Sequence, residues 1–191
     1  MVGITTVQPS LVSPNVGNYY IGKGILSIML LGEDEYTDCG NAPTFEFIAK
    51  VTQLDHYSSR SGIKIKDYVA VTELNGTLTM VLEEFTARNL GMALMGTVNQ
   101  TGASPAEEVT IDVFTNPIIQ GACKFVGTND IGANFTAIFP LVQFTPSKAL
   151  SLIGATWGQI DLSGDVLGDP ITGSFGTVTT TMALSPSDTF A

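Results

Sequence analysis

DYVAVTELNGTLTMVLEE, residues 67–84, decides the fold class. β-branched and apolar residues alternate with polar ones on both sides of Asn75-Gly76. Asn-Gly between two such runs is a strong short-range signal for a tight hairpin turn. The stretch therefore predicts two strands, 67–73 and 75–84, turning on Asn75-Gly76. Upstream, TFEFIAKV (44–51) puts Phe45, Phe47, Ala49 and Val51 on one face, and Glu46, Ile48 and Lys50 on the other, which is again strand period. Downstream, TARNLGMALMG (86–96) is the clearest helix. Thr86 is placed to cap it, Leu90 and Leu94 stand one turn apart for burial, and Gly96 can end it.

Farther out, residues 1–18 carry Pro9 and Pro14 with no period and predict an extended arm. YYIGKGILSIMLL (19–31) is a strand, and GEDEYTDCGNAP (32–43) an acidic loop. In the second half VTIDVF (109–114), IIQGACKFVG (118–127), NFTAIFPLVQF (134–144), TWGQIDLSGDV (156–166) and GTVTTTMAL (176–184) all have strand character. Pro117, Pro140 and Pro146 mark bends or edges among them. A short helical turn is expected near SKALSLIG (147–154). The expected organisation is one mainly-β domain over 19–184 with a central helix, an arm at 1–18 and a tail at 185–191.

Composition narrows the function classes. The chain has 191 residues, a net charge of −10, 44% hydrophobic and only 14% charged residues. That sign is the reverse of a general nucleic-acid binder's. Mean hydropathy is +0.28, yet no run of 18 or more apolar residues exists to span a membrane, and the start lacks the basic and apolar regions of a signal peptide. A compact monomer of this mass would expose about 8,700 Å², and so few charges cover such a surface poorly, so the composition predicts an obligate oligomer. Cys39 and Cys123 show no zinc spacing and are read as small apolar fillers.

Catalytic signatures are missing from the sequence: there is no GxSxG, HExxH, Walker A or strand-linked GxGxxG. His56 is the only histidine and reads as a hydrogen-bonded loop residue. Glu83-Glu84 and Glu107-Glu108 are sequence neighbours, which on a strand point to opposite faces and cannot share a proton. Asp161, Asp165 and Asp169 hint at calcium, but they lack the alternating ligands and distal Glu of a calcium loop and read as turn-forming residues. The expectation is a non-enzyme without metal or cofactor.

What stands out instead is the layout of charge. Arg60, Lys64 and Lys66 are three of only eight basic residues, and they fall within LDHYSSRSGIKIKD (54–67) beside His56. Glu33, Asp34, Glu35 and Asp38 cluster in 32–38. A long loop between strong strands is commonly functional. An acidic patch and a basic projection on one chain permit head-to-tail stacking, which grows a filament when it does not close.

NYYIGKGILSIML, CGNAPTFEF, LDHYSSRSGIKIKD and NGTLTMVLEEFTARNLGMALMG, taken in order, resemble a major tail tube protein of a long-tailed, siphovirus-like bacteriophage; the resemblance covers residues 18–96. It implies two packed β-sheets in a sandwich- or barrel-like fold, with one flanking α-helix and a long inter-strand loop. It implies hexameric rings, four strands from each subunit in a continuous inner barrel, and stacking into a hollow tail tube through which double-stranded DNA is ejected without sequence-specific binding. Implied partners are other copies of the chain, tail tip or initiator and terminator proteins, and a tape measure protein inside the tube. The implied location is the virion tail, assembled in the host cytoplasm, with no membrane anchor. His56, Arg60, Lys64 and Lys66 would form the inter-ring contact, with Glu33, Asp34, Glu35 and Asp38 as its acidic partner. Asp67, Glu73, Thr77, Thr79 and Glu83 are candidates for the lumen. Twenty-four strands tilted by about 40° close a barrel of roughly 48 Å, wide enough for a double helix. Three alternatives remain: the needle tube of a type VI-like secretion system; a monomeric β-sandwich binding module, against which the single Trp157 argues; and an enzyme, for which the sequence offers no constellation.

Overall fold

In a computed structural model, residues 19–60, 62–102 and 108–180 are described. The expected arm 1–18, tail 185–191 and Glu107 lie outside them. The chain is mainly β. Its strands are β1 (Gly24–Leu30), β2 (Thr37–Asp38), β3 (Thr44–Ser58), β4 (Ile65–Leu82), β5 (Thr97–Thr101), β6 (Glu108–Asp112), β7 (Ile119–Gly127), β8 (Phe135–Pro146), β9 (Ile160–Val166) and β10 (Thr177–Thr180), and the one helix is α1 (Ala87–Ala93). The main sheet is antiparallel in the order β2-β1-β7-β8-β9-β4-β3, with β10 added on β8; β5 and β6 form a separate hairpin.

The sheet rolls over its apolar face. β3 is separated in the order by three strands from β7 and by two from β8, yet Phe45 stacks on Phe125 of β7 at 5.4 Å and Phe47 meets Phe139 of β8 at 5.1 Å. Alternate residues fill the enclosed space: Leu26 and Ile28 from β1, Leu78, Met80 and Leu82 from β4, Phe139, Val142 and Phe144 from β8, and Ile160, Leu162 and Val166 from β9. Period-two alternation carries these side chains inward and their neighbours outward. Pro140 lies where the β7–β8 register slips, the kind of position a strand tolerates for a residue without an N–H. Cys39 and Cys123 are buried and free, and burial pushes the Cys39 thiol up to about 11 and the Cys123 thiol higher still.

The helix closes one end of the roll. Thr86 caps it by accepting from the Asn89 N–H at 3.1 Å. Buried Asn89 donates to the Cys39 and Glu84 carbonyls at 3.0 and 2.8 Å, tying α1 to the ends of β2 and β4. Met92 is the helix residue most deeply set in the core; Leu90 packs against it, whereas Leu94 is the half-buried C-cap. Met95, not Gly96, adopts the left-handed conformation after the helix, with φ +48. Gly96 instead lies against the Asp112 carbonyl, where a Cβ would sit at 2.7 Å.

The expected turn at Asn75-Gly76 does not form. Asn75 pairs with Lys50 and Gly76 with Ala49, in the middle of an 18-residue strand. The glycine answers to packing, not to a turn: Phe47, diagonal to it on β3, covers the position, and a Cβ there would lie 2.9 Å from the ring. Most of the long inter-strand segment is laddered. β3 continues to Ser58 and β4 begins at Ile65, so the reversal occupies 59–64. The helical turn expected at 147–154 is also absent; that segment is irregular.

Candidate assembly interface

The registers give the roll two distinct poles. β4 meets β9 only from Gly76 to Leu82, with Gly76 opposite Val166 and Leu82 opposite Ile160. At the Leu82 end lie α1, the start of β7 and the loop after β1; at the Gly76 end lie Gly24, Gly127 and Val166. Beyond Gly76 the β3–β4 pair continues alone. Lys50 to Ser58 ladder against Ile65 to Asn75 with bulges at Thr52/Gln53 and His56/Tyr57, and among the described residues no third strand joins them. At about 3.3 Å per residue this ribbon reaches roughly 30 Å past the body. Its side chains include exposed Val51, Leu54, Tyr57, Ile65, Tyr68, Val71 and Leu74. An apolar two-stranded ribbon of this length is marginal alone in water.

Charge is divided in the same way. Residues 50–75 hold Lys50, Arg60, Lys64 and Lys66 against Asp55, Asp67 and Glu73, a net +1, leaving −11 for the rest of the chain's −10 total. The structure separates the four expected contact residues into two groups. Lys66 is bound to Asp55 at 2.6 Å and His56 to Asp67 at 2.5 Å, both across the ribbon. The Lys66 ammonium is held above its usual value chiefly by the Asp55 hydrogen bond. Arg60 and Lys64 are exposed at the tip and make no ion pair with the described residues.

The acidic loop lies at the opposite pole and is also divided. Arg88 forms an ion pair with Glu33 through Nη1, donates from Nη2 to Glu33 Oε2 at 2.8 Å and to the Ile28 carbonyl at 2.8 Å. The Leu30 N–H donates to Glu33 Oε2 at 2.8 Å. Glu33 therefore shapes the loop. Asp38 accepts from the Gly40 N–H at 2.9 Å, and Asp34 and Glu35 are exposed. Burial pushes the Glu33 carboxyl up, but the Arg88 and Leu30 hydrogen bonds and the Arg88 charge outweigh it, leaving the group below 4.5. A lowered carboxylate stabilises the fold above its ordinary value and loses that contribution as pH falls through the folded value. Amide protection factors in residues 30–36, corrected for the intrinsic pH dependence of exchange, should consequently hold between about pH 5 and 8 and fall only in more acid solution, with an Arg88→Gln variant losing protection at a higher pH than the parent. Loop protection lost at the same pH in both proteins would remove the ion pair from this role.

The expected lumen candidates fall in three places. Thr77 and Thr79 occupy the outward face of the body, in register with Ile48 and Glu46 on β3 and with Asp165 and Ser163 on β9. Gln143 and Thr145 continue that polar face on β8. Glu83 accepts from Asn41 Nδ2 at 2.5 Å and from Gln159 at 3.2 Å at the helix pole. Asp67 and Glu73 belong to the ribbon. The three aspartates do not converge. Asp161 pairs with Lys148 at 2.6 Å, Asp165 stands four residues along β9, and Asp169 accepts from the Ile171 N–H at 2.9 Å and the Thr172 hydroxyl at 2.7 Å in a loop. Those bonds, the Ile171 one foremost, hold Asp169 below its usual value. Among the described residues no group of three or more His, Cys, Asp or Glu side chains is placed to hold a metal ion.

Two features escaped the sequence reading. β3 is an edge strand, so among the described residues the outer side of its ladder has no partner. The irregular segment 147–159 exposes Leu152, Ile153 and Trp157. The close Leu-Ile pair and the lone Trp were the available signal, hidden by the helical reading of 147–154 and the strand reading of 156–166. No helix among the described residues is long and apolar enough to cross a membrane. No curated protein matches the sequence. A family model described as "Protein of unknown function UCP028589" matches residues 19–124, more than half of the chain, and the chain belongs to that family.

Proposed function

We propose that this family member is a structural protein whose copies form rings, in the manner of the phage tail tube proteins it resembles, and that the rings stack into a hollow tube for passing DNA. The observation that carries this reading is the β3–β4 ribbon. It extends alone from one pole, is apolar along its length and cationic at its tip, while the opposite pole carries exposed Asp34 and Glu35. A head-to-tail contact of this kind is heterologous and propagates. The open edge of β3 offers backbone hydrogen bonds to a lateral neighbour. The outward face of β8, β9, β4 and β3 suits a lumen: Thr77, Thr79, Ser163 and Thr145 are short and polar, and Glu46 and Asp165 are acidic. An acidic wall does not grip phosphate, because there is no cation whose neutralisation would release counterions. On this reading the location is the virion tail, and tip, terminator and tape measure proteins are the further partners.

The test is direct. Full-length protein is concentrated at low salt and examined by sedimentation velocity and negative-stain microscopy. Rings or tubes are the expected products. A species of 20.1 kDa mass at every concentration, with or without a tail-tip initiator, would sink the proposal.

A further inference from the structure

The helix pole carries an apolar surface that the charge-based contact does not use. Leu152, Ile153 and Trp157 are 79, 95 and 89% exposed within six residues. Leu152 and Trp157 line an open pocket of about 490 Å³ that also takes in Phe85, Thr156 and Gln159, and Ile153 follows Leu152 in the chain. The segment is anchored at its base: the Ser147 N–H donates to the Asp161 carbonyl at 2.9 Å, Lys148 pairs with Asp161, and the Ser151 hydroxyl donates to the Ile153 carbonyl at 3.0 Å. Gly158 lies against the Phe85 ring, where a Cβ would sit at 2.8 Å, so the chain hugs the body while the tryptophan beside it points away. Three large apolar side chains so presented mark an interaction site.

The occupant with the right chemistry is on the same chain type. The ribbon at the other pole exposes Leu54, Tyr57, Ile65 and Tyr68 and is tipped by Arg60 and Lys64. Asp161, paired with Lys148, lines the pocket, and Glu83 accepts from Gln159 at its border. Apolar centre faces apolar centre, cations face carboxylates, and the two surfaces lie at opposite ends of the same strands. We propose that Leu152, Ile153 and Trp157 seat the ribbon of the next copy along the axis, as the apolar anchor of the stacking contact. This rests on the tube reading for its axis but names a contact that can be tested by itself.

Trp157 is replaced by photoreactive benzoyl-phenylalanine in the full chain, ¹⁴N and ¹⁵N proteins are mixed, and irradiated products are mapped by mass spectrometry. Mixed-isotope crosslinks from position 157 into residues 50–75 are expected. Crosslinks between chains that land only elsewhere, crosslinks within one chain to residues 1–18 or 181–191, or no crosslink would each overturn the proposal. An Ile153→Ser, Trp157→Ser variant should form rings with parental circular dichroism yet elongate at least tenfold more slowly; parental elongation would also overturn it. Ribbon crosslinks found in linear chains without rings would keep this contact and end the tube reading. Stacked rings without ribbon crosslinks would do the reverse.

Discussion

An Arg60→Glu, Lys64→Glu variant is expected to fold as the parent does and to lose axial growth. Both side chains stand at the ribbon tip and make no ion pair with the described residues, so no ion pair among the described residues depends on their sign. One exposed ion pair contributes only about 0–1 kcal/mol. Two cations per ribbon, repeated around a ring, add up to several kcal/mol, and reversal replaces attraction by repulsion at every repeat. Elongation followed by light scattering should fall below detection, while thermal melts stay within a few degrees of the parent. Adding salt should slow elongation of the parent more than it lowers its melting temperature. Lys66 is left in place because its partner is Asp55 across the ribbon at 2.6 Å, and its reversal would loosen the ribbon itself. Tubes growing at the parental rate from the double variant would leave the tip as plain solvated surface.

The other large effect is on folding. Met92 is 2% exposed, on the helix that closes the roll. Met92→Asp removes a buried apolar chain, at a cost of about 2–5 kcal/mol. It also buries a carboxyl without a partner, which costs about 1–3 kcal/mol more. Against the roughly 5–15 kcal/mol that holds a typical domain together, the sum removes a large share of the stability, so the melting temperature and the soluble yield should both fall steeply. Soluble yield and the far-ultraviolet spectrum are the readouts, and a cooperative melt near the parental temperature would show that α1 is not part of the core. Leu94→Asp should be milder. The sequence pattern favours Leu94 as a core residue, but as half-buried C-cap it has water within reach.

That contrast shows what was legible. Strand period located β7, β8 and β9 to within a few residues, because one face of each is buried and alternation records burial directly, whereas β3 runs seven residues past its expected end at Val51, where neither face is buried. Thr86 was legible as a cap because capping is a local bond. Asn75-Gly76 was misread because a glycine demanded by a distant aromatic ring looks the same in sequence as one demanded by a turn. The division of the charged residues was hidden for a similar reason. Glu33 differs from Asp34 and Glu35 through the Leu30 N–H and through Arg88, 55 residues away, and Lys66 differs from Lys64 through the cross-strand register. Exposed Leu152, Ile153 and Trp157 could not be told from core residues by type alone.

β4 is completed by two neighbours that leave the ribosome at different times. β3 comes first, joined through residues 59–64, and a hairpin of this kind zips in about 1–10 μs. β9 comes much later: Gly76 waits for Val166 and Leu82 for Ile160, 90 and 78 residues downstream. At about 5–20 residues per second, that delay is roughly 5–20 s. The ribbon is therefore formed, with its apolar side chains in water, long before the strand it continues into has a second partner. Nascent chains crowded on one messenger would meet first through the element proposed to carry stacking between mature copies, so capture of β9 is the step at which slow synthesis or a bound chaperone most favours the folded subunit over premature association.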